Sequence, residues 1–262
     1  MTAIPASDIV TVIGAGTMGA GIAQVAAQAG HTVYLYDLSQ DTIQRGIEHI
    51  TKGLSKLVEK NKLSIADKEQ LLNRIHPTTD IKQLSESRLI IEVIFEDINV
   101  KQKVLLELEE ICGDNTILAS NTSSISITAI GSVLKRPQNL AGMHFFNPAQ
   151  IMKLVEIVSG ITTSPTIAET LFDTATAWGK KAVHVKSTPG FIVNRVARPY
   201  YAEALRALQE GTANIATIDA VMRESGGFRM GPFELMDMIG HDVNYAVTCS
   251  VFSAYYNDPR FL

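Results

Sequence analysis

Two sets of residues in this chain have types and spacings that could do chemistry. The first is Gly14-Ala15-Gly16-Thr17-Met18-Gly19, between the apolar run at 9–13 and an alanine-rich segment, with Asp37 18 residues beyond Gly19. The order strand, G-x-G-x-x-G, helix, strand (32–36), acid is that of a dinucleotide-binding βαβ unit. Gly14 permits the tight strand-to-helix turn, Gly16 lets backbone approach a pyrophosphate with no Cβ in the way, and Gly19 lets the helix lie close to the sheet. The helix start at Thr17 and Met18 offers N–H groups and a positive dipole end to the phosphates. Asp37 selects among dinucleotides, because its carboxylate can accept both ribose hydroxyls of NAD. A 2′-phosphate would meet it as a like charge, costing about 4 kcal/mol per charge pair at roughly 4 Å and an effective dielectric of about 20. Neither Leu38 nor Ser39 is the arginine that NADP calls for, so NAD is the expected cofactor.

The second set is His144, where a strand leaves the sheet, and Glu156, which interrupts an apolar strand 12 residues later. A dehydrogenase needs a base for the hydroxyl proton while hydride leaves for a nicotinamide. A carboxylate buried alone is costly. Paired with an imidazole it is explained, since it sets the tautomer and stabilises the imidazolium. Spacing alone leaves that pair and two unrelated residues equally open. Glu96 and the polar cluster Ser120-Asn121-Thr122-Ser123-Ser124 follow strand ends and belong in the ligand crevice of a parallel sheet.

These residues need a scaffold. Strands are expected at 9–13, 32–36, 89–94, 116–119, 154–158 and 182–185, with a further unit at 140–148 that carries His144, and with helices between them. From 39 a long helix carries Ile43, Ile47, Ile50, Leu54, Leu57 and Val58 on one face and Lys52, Lys56 and Lys60 on the other. A second helix at 65–75, ended by His76-Pro77, makes this a helical excursion beyond the sheet. On spacing alone the lysine row is a solvated face rather than a grip on an anionic tail. After 187 no strand pattern survives, and 191–210, 215–224, 233–239 and 243–256 read as helices. The expected organisation is an α/β domain at 1–186 and an all-helical domain at 187–262.

The 262 residues carry a net charge of −4 and 46% apolar residues, which argues against a nucleic-acid footprint. The first eight residues have neither the basic nor the apolar stretch of a signal peptide, and no window suits a membrane span. Cys112 and Cys249 suggest neither a disulfide framework nor a zinc site, so the expectation is a cytoplasmic protein without structural metal. His31, His49, His76, His184 and His241 read as surface or turn residues, with Asp242 a candidate helix cap. Trp178, Phe145 and Phe146 read as packing. Arg195 and Arg198 could steer phosphates or support their helix.

The segments Ile13 to Gly19, Ser120 to Ser124, His144-Phe145-Phe146-Asn147-Pro148, Lys153-Leu154-Val155-Glu156 and Pro189-Gly190-Phe191-Ile192-Val193-Asn194-Arg195 occur in this order and approximate spacing in 3-hydroxyacyl-CoA dehydrogenases, which the chain resembles over essentially its whole length. The resemblance implies a Rossmann-type, mostly parallel α/β domain followed by a helical substrate and dimerisation domain. It implies that His144 and Glu156 form the catalytic dyad, and that Ser123 and Asn194 bind or position the reacting oxygen. It also implies that Asp37 holds the adenosine ribose, that Glu96, Lys101, Ser123 and Asn147 line the NAD site, and that Lys56 or Lys60 meets coenzyme A. An acyl-CoA substrate and a homodimer through the helical domain follow.

The C-terminal end resembles the longer bacterial members associated with phenylacetate degradation, which makes 3-hydroxyadipyl- or 3-hydroxybutyryl-CoA the expected substrate. Shorter members continue past the position of Leu262, so the helical domain is expected to be incomplete here. Two rivals are a β-hydroxyacid dehydrogenase and a non-catalytic NAD-binding protein similar to a lens crystallin. The first uses a catalytic lysine where this chain has Asn194-Arg195. The second is disfavoured by the intact His144, Glu156, Ser123 and Asn194 set.

Overall fold

The apolar run ahead of the glycine turn forms β1 (Val10–Ile13), all four residues buried, as expected of a strand covered on both faces. The computed structural model describes residues 3–261. α1 (Thr17–Gln28) and β2 (Val33–Tyr36) complete the βαβ unit. Ser39 starts α2 (Gln40–Glu59) by accepting the Thr42 N–H. Ile43, Ile50 and Leu54 of α2 are buried, worth about 1.5–3 kcal/mol each. Leu57, expected on the same face, is 36% exposed. The reason is length: a helix of 20 residues, about 30 Å long, outruns four-residue strands of about 13 Å.

α3 (Ile65–Asn73) ends earlier than expected, and His76-Pro77 does not terminate it. Both residues lie inside a strand, β3 (Ile75–Thr78), paired parallel to β2 at the sheet edge. An edge strand tolerates proline because its N–H side can face away from any ladder. There follow β4 (Leu89–Glu92), α4 (Ile98–Ile111), β5 (Ile117–Ser120), α5 (Ile127–Gly131), β6 (Leu140–Phe145), β7 (Leu154–Ser159), α6 (Pro165–Ala177) and β8 (Lys181–Lys186). β4 stops two residues short of Ile94 because the Glu92 carboxylate turns the chain, its Oε1 accepting the Ile94 N–H at 2.8 Å.

The sheet order is β3-β2-β1-β4-β5-β6-β7-β8. Its first six strands follow the doubly wound dinucleotide-binding order, whose ligand crevice lies outside the strand C-termini where the order reverses, here between β1 and β4. Every adjacent pair is parallel except β6 and β7.

A second compact unit starts at Thr188 and contains α7 (Val193–Gln209), α8 (Ile215–Glu224), α9 (Pro232–Ile239) and α10 (His241–Ala254). Its small core is built from Tyr201, Ala204, Phe233 and Met236. α7 starts two residues later than expected, because Gly190 and Phe191 are left-handed, with φ of 74° and 50°. The buried Asp219 carboxylate accepts the N–H groups of Phe233 and Glu234 at the head of α9. Asp242 does not cap α10. Gly240 occupies that position, and Asp242 sits in the first turn, where a negative charge suits the helix dipole.

His31 also departs from expectation, being only 2% exposed. Its Nδ1 meets the Asp8 carbonyl at 3.0 Å, and its Nε2 lies 3.0 Å from Trp178 Nε1. The indole can only donate, so Nε2 must accept and the ring is neutral. Burial pushes the imidazole down from its ordinary value, against partial opposition from the Asp8 carbonyl and carboxylate. With the folded value below the unfolded one, the unfolded chain takes up the proton first as pH falls. Stability is therefore complete above about pH 6.5 and declines as pH drops below it. Denaturant titrations of wild type and His31→Gln should differ in slope over that acidic window, with the variant flatter. Trp178→Phe, which strips a buried acceptor of its donor, should cost about 1–3 kcal/mol at neutral pH.

Candidate active site

The loop after β1 is shaped by what its glycines cannot be. At Gly14 (φ +101°) a Cβ would stand 2.4 Å from the Val93 carbonyl oxygen, and at Gly19 it would stand 1.7 Å from the Gly14 carbonyl oxygen. Gly16 has nothing within 4 Å of that position, so its surface is open to a close-approaching ligand. No side chain caps α1, and no acid occupies its first turn. The N–H groups around Thr17 and Met18 thus keep their positive field for an anion. Asp37 leans over the loop, Oδ2 accepting the Ala15 N–H at 2.9 Å and Oδ1 the Ser39 N–H at 3.0 Å. Each carboxylate oxygen has a further lone pair for a ribose hydroxyl. An uncapped helix start, a bare glycine and an oriented acid together fit NAD.

Beside this loop, across from Ile13 in the sheet register, stands Glu92. It is fully buried, and it escaped sequence reasoning as one polar letter inside the apolar run at 89–94. Its Oε1 holds the Lys101 ammonium at 2.7 Å, and its Oε2 accepts from Ser120 Oγ at 2.6 Å. Lys101, 1% exposed, also reaches Glu96 at 3.2 Å. Its ammonium is therefore held inside the protein by two carboxylates. Glu96 in turn accepts from the Thr122 hydroxyl and from the N–H groups of Ser123 (3.0 Å) and Ser124 (3.3 Å). Burial alone would raise the Glu96 carboxyl, but the Lys101 charge and these hydrogen bonds outweigh it and hold the group below its usual range. The loop bearing Ser123 is thus tied to α4 through one ionised carboxylate.

His144 and Glu156 face each other directly across the antiparallel β6–β7 pair. Nδ1 and Oε2 are 2.8 Å apart, with both side chains buried. The antiparallel register supplies what spacing could not: a hairpin folding back after eight intervening loop residues (146–153) puts the two on one face. The Phe146 ring lies against the imidazole with centroids 4.5 Å apart, so it flanks the histidine as well as packing. Two further residues brace the region. Asn121 Oδ1 accepts the Phe145 N–H at 2.8 Å, joining the serine-rich loop to the strand of His144. The buried Lys180 donates to the Ala149 and Met152 carbonyls, steadying the loop that carries the exposed Asn147.

Lys56 and Lys60 stand exposed at the last turn and C-cap of α2. Asn194 belongs to the second unit, as the second residue of α7. Arg195 lies over the Tyr255 ring, and Arg198 is buried against α10. Among the described residues no cluster of three or more His, Cys, Asp or Glu could hold a metal ion, and no helix is long and apolar enough to cross a membrane. Burial pushes the Cys112 thiol up to about 11, which makes it inert near neutral pH.

Residues 9–188 match the family model described as the NAD binding domain of 3-hydroxyacyl-CoA dehydrogenase, and residues 190–262 match its C-terminal domain. The 3-hydroxyadipyl-CoA dehydrogenase of Escherichia coli is 53% identical over 97% of the chain, which spans about half (53%) of that relative's length. A 3-hydroxybutyryl-CoA dehydrogenase of Clostridioides difficile is 42% identical, with 95% of this chain and 89% of that protein covered. A crystal structure of 3-hydroxybutyryl-CoA dehydrogenase from Escherichia coli superposes with a TM-score of 0.96 at 51% identity, covering 99% of this chain and 55% of that one. With one model matched over residues 9–188 and the other over 190–262, the chain belongs to the 3-hydroxyacyl-CoA dehydrogenase family.

Proposed function

We propose that this chain oxidises the 3-hydroxyl of a 3-hydroxyacyl-CoA to the 3-oxo thioester, reversibly and with NAD. The observation that carries the reading is the buried 2.8 Å contact between His144 Nδ1 and Glu156 Oε2, in the unit that also holds the glycine turn and Asp37. NAD, when bound, supplies the hydride acceptor. The chain's own residues do the rest. A carboxylate opposite Nδ1 makes that nitrogen the donor and puts the basic lone pair on Nε2, the atom that takes the hydroxyl proton. As the imidazolium forms, the Glu156 charge stabilises it without accepting the proton. In the reverse direction the same nitrogen gives the proton back. Ser123 serves as hydrogen-bond partner of the reacting oxygen, on a loop whose position Glu96 sets. Lys101 acts on the NAD site through Glu96, since its ammonium is 1% exposed and bound at both sides. Asn147 lines that site, Asn194 positions the substrate from the helical unit, and Lys56 or Lys60 meets the coenzyme A phosphates.

The substrate we favour is 3-hydroxyadipyl- or 3-hydroxybutyryl-CoA, on the names of the relatives above, with a role in phenylacetate breakdown. We place the protein in the cytoplasm as a homodimer through the helical unit. Exposed Met238, Val243 and Tyr245 there support such a contact.

NADH formation from a panel of 3-hydroxyacyl-CoAs of increasing length tests the reading, and no absorbance change with any of them would end it. His144→Gln should lower kcat by about 1,000-fold or more while NAD affinity, read by fluorescence titration, stays within a few-fold. Near-normal turnover would remove His144 from the mechanism. Glu156→Gln should cost on the order of 1,000-fold in kcat through the wrong tautomer. Glu96→Ala frees the serine-rich loop and should lower kcat about 100-fold, the scale of an ångström of misplacement. Lys101→Met leaves two carboxylates without a counter-ion, so urea unfolding should show a loss of about 3–5 kcal/mol.

A further inference from the structure

Lys180, at the turn from α6 into β8, is 9% exposed. Unlike Lys101, it pairs with no carboxylate among the described residues. Its Nζ donates instead to two backbone carbonyls, Ala149 at 2.5 Å and Met152 at 2.9 Å. Both belong to the loop (146–153) that joins β6 to β7 and carries Asn147. Burying a cation is costly unless its hydrogen bonds are met, and here meeting them fixes the course of that loop.

The same loop lies against α1, the helix whose start faces the phosphates. A Cβ at Gly21 would stand 2.8 Å from Gln150 Oε1 and 3.2 Å from the Ala149 Cβ, so helix and loop touch where the helix has no side chain. Ala149 is buried in the main core. Trp178, two residues before Lys180, stacks on Phe145 with ring centroids 6.5 Å apart. The α6–β8 turn therefore holds both the exit of β6 and the loop that follows it. His144 and Glu156 do not depend on this hold, because the β6–β7 ladder joins them directly.

We propose that Lys180 is a positioning residue for the cofactor: by gripping the Ala149 and Met152 carbonyls it fixes the loop that carries Asn147 and seats α1 at Gly21. The assignment rests on the proposed NAD site and is specific in kind, acting on cofactor affinity and not on proton transfer. Burial pushes the Lys180 ammonium down from its ordinary value, so its charge is lost before pH reaches about 10.4. The other charged groups on the elements around it are Glu156, held by His144, Glu169, held by His184, Asp173 on α6, and Lys153, Lys181 and Lys186, all three exposed. α1 carries none.

NADH binding to the full chain, read by fluorescence titration, tests this without an acyl-CoA. Lys180→Met keeps the stem and removes the donors. Near neutral pH it should raise the NADH Kd about 10-fold, less than the cost of a full ångström of misplacement, while kcat at saturating NAD stays within about 3-fold. In wild type the Kd should climb by about 3-fold as pH approaches about 10.4, since a neutral amine donates more weakly than an ammonium. Lys180→Met should stay flat over that range. An unchanged Kd in Lys180→Met, the same alkaline climb in both proteins, or a kcat loss larger than the change in Kd overturns the assignment. Should Lys180→Met not fold, Lys180→Arg decides it: charged throughout, it should abolish the alkaline climb, and a climb that persists overturns the assignment. Wild type that binds no NADH at all overturns the NAD reading as well.

Discussion

The arrangement depends most on one buried ammonium. Lys101 is a single cation between two carboxylates, Glu92 and Glu96, and each carboxylate governs a different piece of chain. Glu92 turns the strand end at Ile94 and anchors Ser120. Glu96 gathers Thr122, Ser123 and Ser124. A charge buried this deeply is tolerable only when paired and hydrogen-bonded, so its partners have little freedom to move. The rigidity of the serine-rich loop is a by-product of satisfying that requirement.

The sheet supplies the second constraint. Because β1, β4, β5 and β6 run in parallel, their exits lie along one edge. Gly14 presses on the Val93 carbonyl there, and Asn121 ties the exit of β5 to Phe145. The cradle, the serine-rich loop and the strand of His144 are held in one hydrogen-bonded and packed run. The reversal into β7 then brings Glu156 opposite His144.

Much of this was legible in the residues. The glycine spacing and Asp37 identified the dinucleotide turn because backbone sterics leave few other residues possible there. The helical period of Ile43, Ile50 and Leu54 located α2. Tertiary partners were what the string of letters concealed. His76-Pro77 looked like a helix stop and lies in an edge strand, since proline alone does not say whether its missing N–H would have been needed. His31 looked superficial until Trp178, distant in sequence, supplied its donor. Glu92 is one polar residue inside the apolar run expected as a strand at 89–94, and only its meeting with Lys101 and Ser120 reveals why it is there. The His144–Glu156 contact needed the antiparallel register, which the surrounding parallel alternation gave no reason to expect.

The division after Ser187 has a consequence for how such a chain can diversify. The glycine turn, Asp37, the buried acid–lysine pairing, and the imidazole with its carboxylate all sit on the earlier side of it, while Asn194 and Arg198 sit on the later side. The glycine cradle and the imidazole–carboxylate pair therefore belong to one packed unit and can be inherited together, whatever changes accumulate in the helices after Ser187.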